Sequence, residues 1–324
     1  MSGVAWGIVS TAHINRLVIP PAQESDRVDL IAVASRDDAR AEEYARTWGI
    51  ERAYGSYEAL LEDPDVEAVY ISLPNSLHCE WSIRALEAGK HVLCEKPLSR
   101  RAAEVEAAFD AAERADRLLM EAFMYRHHPQ TLELQELIEG GAIGRLRLIR
   151  AAFSFTARGP ENIRLLPELD GGALMDVGCY CVSSSRLLAG EPERVYGAQV
   201  VGATGVDVVF AGTLAFAGDV IAQFDSGLAL PERDELEVIG EEGSIFLDDP
   251  WHCYEPVLEL RRDGAVDRIE TDRADCYGLE LENMSDAIRG HGEPLLGRED
   301  AVGNARALEA LYASADERKP IDLR

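Results

Sequence analysis

The first 122 residues alternate short apolar runs with segments of helical periodicity, and this alternation is what most restricts the fold. The apolar runs cover residues 5–9, 30–34, 68–73, 91–93 and 118–122. The helical patterns between them cover residues 39–48, 77–88 and 102–114. Strands that are apolar throughout are typical of a parallel sheet covered by helices on both faces. We therefore predict a doubly wound α/β domain, in which ligands bind at the carboxyl ends of the strands.

The pattern changes after Pro129 to longer strands in which apolar and polar residues alternate. We predict strands at residues 146–155, 195–201, 206–216, 220–226 and 236–239, and helices at residues 130–139, 174–188, 279–289 and 300–316. Hairpin-type turns follow at residues 217–219 and 242–244. The predicted domains are therefore a parallel-sheet domain at residues 1–122 and an α+β domain with a mainly antiparallel sheet at residues 123–324. The final helix is a candidate for packing back on the first domain.

The charge composition argues against several classes of partner. The chain has 59 acidic and 32 basic residues, and its formal net charge is −27. Nucleic acids and anionic membranes both require a basic surface, so neither is expected as a partner. The acidity fits a high-salt organism or an acidic bacterial enzyme equally well. Three of the basic residues are lysines (Lys90, Lys96 and Lys319), so a lysine at a strand end is informative.

The sequence pattern contains no signal for a membrane, for export or for a metal. No apolar run approaches the roughly 20 residues of a membrane span. The N-terminus MSGVAWGIVS lacks a basic segment, so we expect a cytoplasmic protein. The six cysteines form no CxxC pair and no cluster with zinc-ligand spacing, which predicts free thiols. We expect no bound metal, since the neighbouring His127 and His128 diverge and lack a third ligand.

The segment after the first strand lies where a dinucleotide-binding protein has its phosphate loop. On the spacing GxGxxG, the three glycine positions hold Ser10, Ala12 and Asn15. Small side chains, free backbone N–H groups and a helix N-terminus still suit a phosphate, and the hydroxyls of Ser10 and Thr11 can donate to a pyrophosphate. The alternative is an ordinary strand–helix turn. The predicted cofactor contacts here are Ser10, Thr11, Ala12, His13 and Ile14.

The end of the second strand distinguishes between the two nicotinamide cofactors. An NAD site places Asp or Glu directly after this strand, whereas a nearby arginine accommodates the 2′-phosphate of NADP. Here Ser35 and Arg36 follow the strand, and Arg40 comes one helical turn later. These three residues therefore predict NADP(H) as the cofactor. The alternative is a solvated arginine that pairs with Asp37 or Asp38.

The next two strand ends carry more specific motifs. Leu73-Pro74-Asn75 opens a helix that contains His78, and the following strand ends in Glu95-Lys96-Pro97. Glu-Lys-Pro directly after a buried strand places an ammonium group in the ligand crevice, and the proline restricts the backbone behind it. The predicted cofactor contacts from these motifs are Leu73, Pro74, Asn75, His78, Glu95 and Lys96.

The PNxxH and EKP motifs at this separation resemble those of the Gfo/Idh/MocA oxidoreductases, named for glucose–fructose oxidoreductase, inositol dehydrogenase and a rhizopine-catabolism protein. The resemblance covers essentially the whole chain and implies an N-terminal Rossmann domain and a C-terminal antiparallel α/β domain. It implies that Lys96 lies beside the nicotinamide and the reacting carbinol. Residues 121–129, EAFMYRHHP, are similar to the crossover segment that lines the family's site. Arg126 and Phe155 are further candidate substrate contacts, and a homo-oligomer (dimer or tetramer) through the open sheet face is expected.

The segment GGALMDVGCYC, residues 171–181, contains the remaining candidate residues. Asp176 and Tyr180 are spaced i, i+4 and project from one helix face. In much of the family the residue that matches Tyr180 is His. A tyrosine at this position resembles a narrower branch, which includes dimeric dihydrodiol dehydrogenases, NADP-dependent aldose dehydrogenases and glucose–fructose oxidoreductase. The resemblance makes Tyr180 the proton carrier, and Lys96 and the nicotinamide would lower its pKa from about 10. Asp176 would orient sugar hydroxyls or hold Lys96.

These observations predict an NADP(H)-dependent oxidoreductase with Lys96, Asp176 and Tyr180 as the catalytic set. The predicted substrate contacts are these three residues together with Arg126 and Phe155. The first expectation is oxidation of an aldose such as D-xylose or glucose to the lactone. Alternatives are trans-dihydrodiol dehydrogenase, a reductase of keto-sugars such as 1,5-anhydrofructose, and a glucose–fructose-type transhydrogenase. A non-catalytic NADP/sugar sensor is a further alternative, but a sensor has no need of a proton relay.

Overall fold

The computed structural model describes residues 3–159 and 161–323, and the chain divides into two units. The first unit comprises Met1–Met124 and Tyr277–Val302, and the second comprises Tyr125–Cys276 and Gly303–Arg324. The predicted division had a single boundary after residue 122, whereas the chain returns to the first unit at Tyr277. Periodicity along the sequence does not show this return, because the returning segment is helical like many others.

Six strands among the described residues form the sheet of the first unit, and all their pairings are parallel. In chain order they are Val4–Val9 (β1), Val28–Ala34 (β2), Arg52–Tyr54 (β3), Ala68–Ile71 (β4), His91–Glu95 (β5) and Leu119–Ala122 (β6). Their spatial order is β3-β2-β1-β4-β5-β6, which is the order of a doubly wound dinucleotide-binding sheet. The order reverses between β1 and β4, so the loops after these two strands flank the crevice where such sheets bind ligands.

The sheet of the second unit has nine strands in the part of the chain that the structure describes. They are Leu146–Thr156 (β7), Pro192–Val201 (β8), Asp207–Phe216 (β9), Val220–Gly227 (β10), Ala229–Gly240 (β11), Ser244–Leu247 (β12), Val257–Arg262 (β13), Ala265–Glu270 (β14) and Ile321–Asp322 (β15). The spatial order is β14-β13-β12-β11-β7-β10-β9-β8-β15, and only the pairing of β10 with β7 is parallel over these residues. The predicted fold class is therefore confirmed. Strands β13 and β14 were not predicted because charged residues interrupt their apolar pattern, and β14 is also largely exposed.

The helices follow the predicted periodicity closely. The described α-helices are Asn15–Glu24 (α1), Asp38–Trp48 (α2), Tyr57–Leu61 (α3), His78–Glu87 (α4), Ala102–Ala115 (α5), Pro129–Glu139 (α6), Cys179–Ala189 (α7), Cys276–Ile288 (α8) and Arg298–Glu317 (α9). The helix predicted at residues 174–188 consists of a π-helical segment, Leu174–Gly178, followed by α7. No helix in the described residues is long and apolar enough to cross a membrane.

Long-range contacts within the first unit explain why the chain returns to it. Trp6 of β1 is buried, and its indole Nε1 donates to Ser285 Oγ of α8 at 3.1 Å. Arg289, directly after α8, pairs with Glu67 at 2.7 Å, just before β4. This hydrogen bond from Arg289 lowers the pKa of Glu67. The returning segment is therefore bonded to the amino-terminal side of the first sheet.

Candidate active site

The loop after β1 has a glycine-like backbone although it contains no glycine. Ser10, at the first glycine position, has a φ of 137°. A non-glycine residue in such a region is strained by about 1–3 kcal/mol. Two hydrogen bonds hold this conformation: Ala12 N donates to Ser10 Oγ at 3.1 Å, and Asn15 Nδ2 donates to Ser10 O at 3.0 Å. The backbone shape of a phosphate loop is therefore maintained by side-chain hydrogen bonds.

The side chain of Ser10 also joins the loops that follow β1 and β4. Ser10 Oγ lies 2.7 Å from Ser72 Oγ, and Ser72 Oγ donates to Asn15 Oδ1 at 2.7 Å. All three side chains are buried. Since Ser72 donates its proton to Asn15, Ser10 donates its own to Ser72 and has no second proton for a pyrophosphate. The role predicted for the Ser10 hydroxyl is therefore revised to support of the loop, while that of Thr11 stays a prediction.

The residues after β2 form a cationic surface at the start of α2. Ser35 is buried, and Asp37 Oδ1 accepts a hydrogen bond from Arg40 N at 2.9 Å as the N-cap of α2. Burial raises the pKa of Tyr57, and the charges of Arg36 and Arg40 oppose this rise. Both arginines are exposed, and neither forms an ion pair with a carboxylate in the described residues. The alternative of pairing with Asp37 or Asp38 is thus not what the structure shows.

His78 connects the two motifs that follow β4 and β5. The side chain is 1% exposed, and its ring nitrogens lie 2.7 Å from Leu73 O and 2.8 Å from Pro97 O. Burial lowers the pKa of His78 more than these two carbonyl oxygens raise it. Because Pro97 directly follows Lys96, this contact fixes the backbone that carries the lysine.

Two carboxylates hold the backbone on either side of Lys96. The hydroxyl of Tyr70 donates to Glu95 Oε1, and Lys96 N donates to Glu95 Oε2 at 3.3 Å. On the other side, Glu121 Oε1 accepts a hydrogen bond from Leu98 N at 2.8 Å. Lys96 itself is half-buried at the carboxyl end of β5. The crevice position of its ammonium group stays a prediction.

In the second unit, Asp207 anchors the helix that carries Asp176 and Tyr180. Asp207 Oδ2 accepts a hydrogen bond from Leu174 N at 2.7 Å, at the start of the π-helical segment. Gly172 precedes it with a φ of 133°, and a Cβ at this position would lie 2.1 Å from Asp207 Oδ1. A side chain at residue 172 would therefore displace the anchor. The π-helical geometry at Asp176 is itself a feature found frequently at functional sites.

Aromatic rings surround Tyr180. Its ring lies 5.4 Å from that of Phe153 in an edge-to-face arrangement and 5.8 Å from the rings of Tyr125 and Trp251. Tyr180 is 6% exposed and Trp251 is fully buried. Such rings exclude water and fix the orientation of the phenol.

An arginine covers Asp176. Arg164 Nε donates to Asp176 Oδ2 at 2.7 Å, and the guanidinium carbon lies 5.7 Å from the ring centroid of Phe155. The side chain of Asp176 is 14% exposed, whereas that of Arg164 is 44% exposed. An acidic residue, a cation and an aromatic ring therefore meet in one place on the second unit, beside the helix of Tyr180.

Two sequence profiles match this chain. Residues 4–123 match the oxidoreductase family with an NAD-binding Rossmann fold, and residues 131–246 match the GFO/IDH/MocA C-terminal domain. A D-xylose 1-dehydrogenase (NADP(+)) from Haloferax volcanii is 40% identical over 98% of this chain and 99% of its own length. The chain belongs to the Gfo/Idh/MocA family. It is accordingly an oxidoreductase, as the EKP and PNxxH motifs predicted.

Two further relatives of this Gfo/Idh/MocA chain are named for other reactions. A trans-1,2-dihydrobenzene-1,2-diol dehydrogenase from Danio rerio is 36% identical over 82% of this chain and 78% of its own length. The crystal structure of a 3-ketoreductase from Actinomadura kijaniata in complex with NADP and TDP-benzene has a TM-score of 0.91 and 30% identity. It covers 96% of this chain and 98% of its own. The family therefore combines one fold with several oxidation and reduction reactions.

The two units divide the predicted site residues of this Gfo/Idh/MocA chain between them. The first unit carries those at the ends of β1, β2, β4 and β5: Ser10, Thr11, Ala12, His13, Ile14, Ser35, Arg36, Arg40, Leu73, Pro74, Asn75, His78, Glu95 and Lys96. The second unit carries the other predicted residues, Arg126, Phe155, Asp176 and Tyr180. Arg126 is 9% exposed, and Phe155 is half-buried next to Arg164.

Sequence reasoning missed three residues that support these groups: Asn15, Ser72 and Asp207. Ser72 is hydrogen-bonded to Ser10 from 62 positions away and Asn15 from 5 positions away. Asp207 caps a helix that begins 33 positions earlier. A local motif cannot reveal such pairings. For Arg164, in the loop before GGALMD, the sequence allows a substrate contact or an ion pair with a carboxylate; the structure shows a pair with Asp176.

Among the described residues, one group of Asp and His side chains has the spacing of metal ligands, but its members are already hydrogen-bonded. Ligand atoms of Asp234, Asp249 and His252 lie within 4.8 Å of one another. His252 Nδ1 is already 2.8 Å from Asp234 Oδ2, and the Asp249 carboxylate accepts hydrogen bonds from the N–H groups of His252 and the next three residues. These bonds make Asp249 a turn-stabilising residue.

Proposed function

We propose that this protein is an NADP(H)-dependent sugar dehydrogenase that oxidises the anomeric carbon of an aldose to the lactone. The observation that carries the proposal is the placement of Tyr180, a phenol enclosed by aromatic rings on the same helix as Asp176. The 40% identity to a D-xylose 1-dehydrogenase (NADP(+)) supports an aldose of the D-xylose or glucose type.

The residues of the first unit fit NADP in two respects. The glycine-like backbone at Ser10 and the N-terminus of α1 suit a pyrophosphate, since the positive end of the helix dipole favours an anion there. The exposed Arg36 and Arg40 suit a 2′-phosphate, because their charges lack carboxylate partners in the described residues. NADP+ supplies the hydride acceptor when it is bound.

The remaining chemistry belongs to the side chains of the chain itself. We propose that Lys96, Asp176 and Tyr180 act together. Tyr180 holds the proton of the reacting hydroxyl, and its aromatic neighbours keep water away from it. Asp176, fixed by Arg164, orients the hydroxyl groups of the sugar. Lys96, fixed through Glu95 and His78, favours the charged phenolate.

One observation favours a second candidate, oxidation of a trans-dihydrodiol. The rings of Tyr125, Phe153 and Trp251 make the surroundings of Tyr180 apolar, which suits a carbocyclic substrate better than a polyhydroxylated one. The trans-1,2-dihydrobenzene-1,2-diol dehydrogenase of Danio rerio is 36% identical to this chain. A substrate panel separates the two candidates, since the sugar and the carbocycle differ in polarity.

The test is NADPH formation against D-xylose, D-glucose, an inositol and a trans-dihydrodiol, at low and high salt. Turnover of an aldose supports the proposal, and turnover of the dihydrodiol alone refutes it. Tyr180→Phe should abolish turnover while NADPH binding is retained. The exposed Tyr196 supplies the matched control, Tyr196→Phe, which should keep full activity. Substantial activity in Tyr180→Phe contradicts the proton-transfer role.

The proposal also includes a cytoplasmic homo-oligomer, a dimer or tetramer through the sheet of the second unit. Tyr196 and Val200 on β8 and Ile221 on β10 are large, exposed apolar side chains of that sheet. Light scattering during gel filtration measures the mass, and a monomer at micromolar concentration contradicts this part.

A further inference from the structure

The guanidinium group of Arg164 is held in place from several sides within the second unit. Its Nε donates to Asp176 Oδ2 at 2.7 Å, and its plane lies near the ring of Phe155. The backbone is fixed as well, since Arg164 N donates to Asn162 Oδ1 at 3.1 Å and Gly172 N donates to Arg164 O at 2.9 Å. Both the backbone and the side chain of Arg164 are therefore bonded within the second unit.

Most of the hydrogen-bonding capacity of Arg164 remains unused. A guanidinium carries five N–H donors, and the contact with Asp176 uses the one on Nε. In residues 3–159 and 161–323, the Nη1 and Nη2 groups have no hydrogen-bond partner, and the side chain is 44% exposed. Asp176 places carboxylate oxygens, which are hydrogen-bond acceptors, directly beside these donors.

The charge of this pair indicates which ligand it would bind. Arg164 and Asp176 neutralise each other, so an anionic substrate would gain little from the arginine while approaching the carboxylate. A hydroxyl group both donates and accepts, and two hydroxyls on adjacent ring carbons match one donor group beside one acceptor group. The planar fork of arginine presents its donors in fixed directions, which suits such a pair better than lysine would.

We propose that Arg164 determines specificity: together with Asp176 it binds two adjacent hydroxyl groups of the substrate ring. This inference rests on the proposed function, since it takes Asp176 to face the substrate. Arg164 is a binding residue for the hydroxyl next to the reacting carbon, and its role is distinct from proton transfer by Tyr180. An ion pair with so exposed a partner contributes little to folding stability, so stability alone does not account for it.

The test removes the donor from the enzyme and the hydroxyl from the substrate, separately and together. Arg164→Met is compared with the wild type on D-glucose and on 2-deoxy-D-glucose. We expect Arg164→Met to raise KM for glucose about tenfold to a hundredfold, with a smaller change in kcat. KM for the 2-deoxy sugar and KM for NADP should stay unchanged. Arg158→Met, at an exposed arginine of the same loop, is the matched control and should leave both sugars unaffected.

Equal losses on the two sugars would mean that Arg164 only supports the loop, and they overturn the inference. A second measurement keeps it independent of turnover. Binding of both sugars to the NADP complex of Tyr180→Phe and of Tyr180→Phe/Arg164→Met is followed by tryptophan fluorescence, since Trp251 lies 5.8 Å from Tyr180. An Arg164-dependent preference for glucose supports the inference even if no sugar is oxidised, in which case only the proposed function fails. No preference, or no binding of either sugar, overturns it.

Discussion

The hydroxyl oxygens of Ser10 and Ser72 lie 2.7 Å apart and join the ends of β1 and β4 at the point where the sheet order reverses. A Rossmann loop ordinarily uses glycine at the position of Ser10, because the backbone must adopt a positive φ. Here the serine accepts the strained conformation, and its side chain, with those of Ser72 and Asn15, stabilises it. The loss of glycine is therefore compensated by a buried hydrogen-bond network.

Removal of Ser72 from this network should weaken both the fold and cofactor binding. Ser72→Ala leaves Asn15 Oδ1 without its hydroxyl donor and removes one of the contacts of Ser10 Oγ, so we expect a loss of about 1–3 kcal/mol in the free energy of unfolding. KM for NADP should rise several-fold, because the loop loses its support. Denaturant unfolding and steady-state kinetics measure the two effects. Ser314→Ala removes comparable hydrogen bonds in the second unit and should lower stability alone; a rise in KM for NADP in that control would speak against a local effect.

Loss of Arg36 should change the choice between cofactors. Arg36→Ala removes an exposed cation at the end of β2, and a charge-assisted hydrogen bond to phosphate contributes about 1.5–3 kcal/mol. We expect KM for NADP to rise by about tenfold to a hundredfold and KM for NAD to change little. Arg46→Ala, at the other end of α2, is the matched control and should affect neither. An equal rise for both cofactors would contradict the assignment of the 2′-phosphate to Arg36.

His78 should act on catalysis by holding the backbone of Lys96. His78→Leu places an apolar side chain here and removes both ring nitrogens that lie beside the carbonyls of Leu73 and Pro97, to one of which the neutral imidazole donates. We expect kcat to fall by about tenfold to a hundredfold, since small displacements of a catalytic group have effects of this size. His91→Leu provides the control, because His91 accepts a bond from Leu118 N at the opposite end of β5. That variant should lose stability and keep kcat; the same fall in kcat for both would show a general loss of folding.

The buried His127 should make the protein less stable in mild acid. Burial lowers the pKa of His127 to about 3, and the charge of Arg126 contributes. The unfolded chain, with a histidine pKa of about 6.5, binds the proton first as the pH falls, so this group reduces stability between about pH 6.5 and pH 3. We expect the loss from this residue to be about 2–3 kcal/mol at about pH 4.5 relative to about pH 7.5.

The measurement for His127 is the free energy of unfolding at both pH values, in the wild type and in His127→Phe. The variant should lose less stability on acidification, since it has no proton to bind at this position. The values at neutral pH serve as the control for the change in packing. Equal losses of unfolding free energy in the two proteins would show that the pKa of His127 is the same in the folded and unfolded states.

The sequence alone determined the α/β fold, the parallel first sheet and the family. Strands buried on both faces must be apolar throughout, so the composition of β1, β4 and β5 alone predicted that they are strands of a parallel sheet. The PNxxH and EKP motifs were readable for the same reason, because each is a contiguous stretch at a strand end. Strands β13 and β14 were not readable, since their exposed and charged residues lack that pattern.

Only the tertiary structure decided how the candidate site is supported. The bond between Ser10 and Ser72 spans 62 positions, and the pair of Arg164 and Asp176 depends on the path of the loop between them. The return of Tyr277–Val302 to the first unit likewise depends on contacts such as that of Trp6 with Ser285. Side-chain hydrogen bonds between distant residues leave no periodicity in the chain, because their geometry exists only after the backbone has folded. The sequence thus identifies the candidate chemical groups of the site, and the folded structure identifies the residues that orient them.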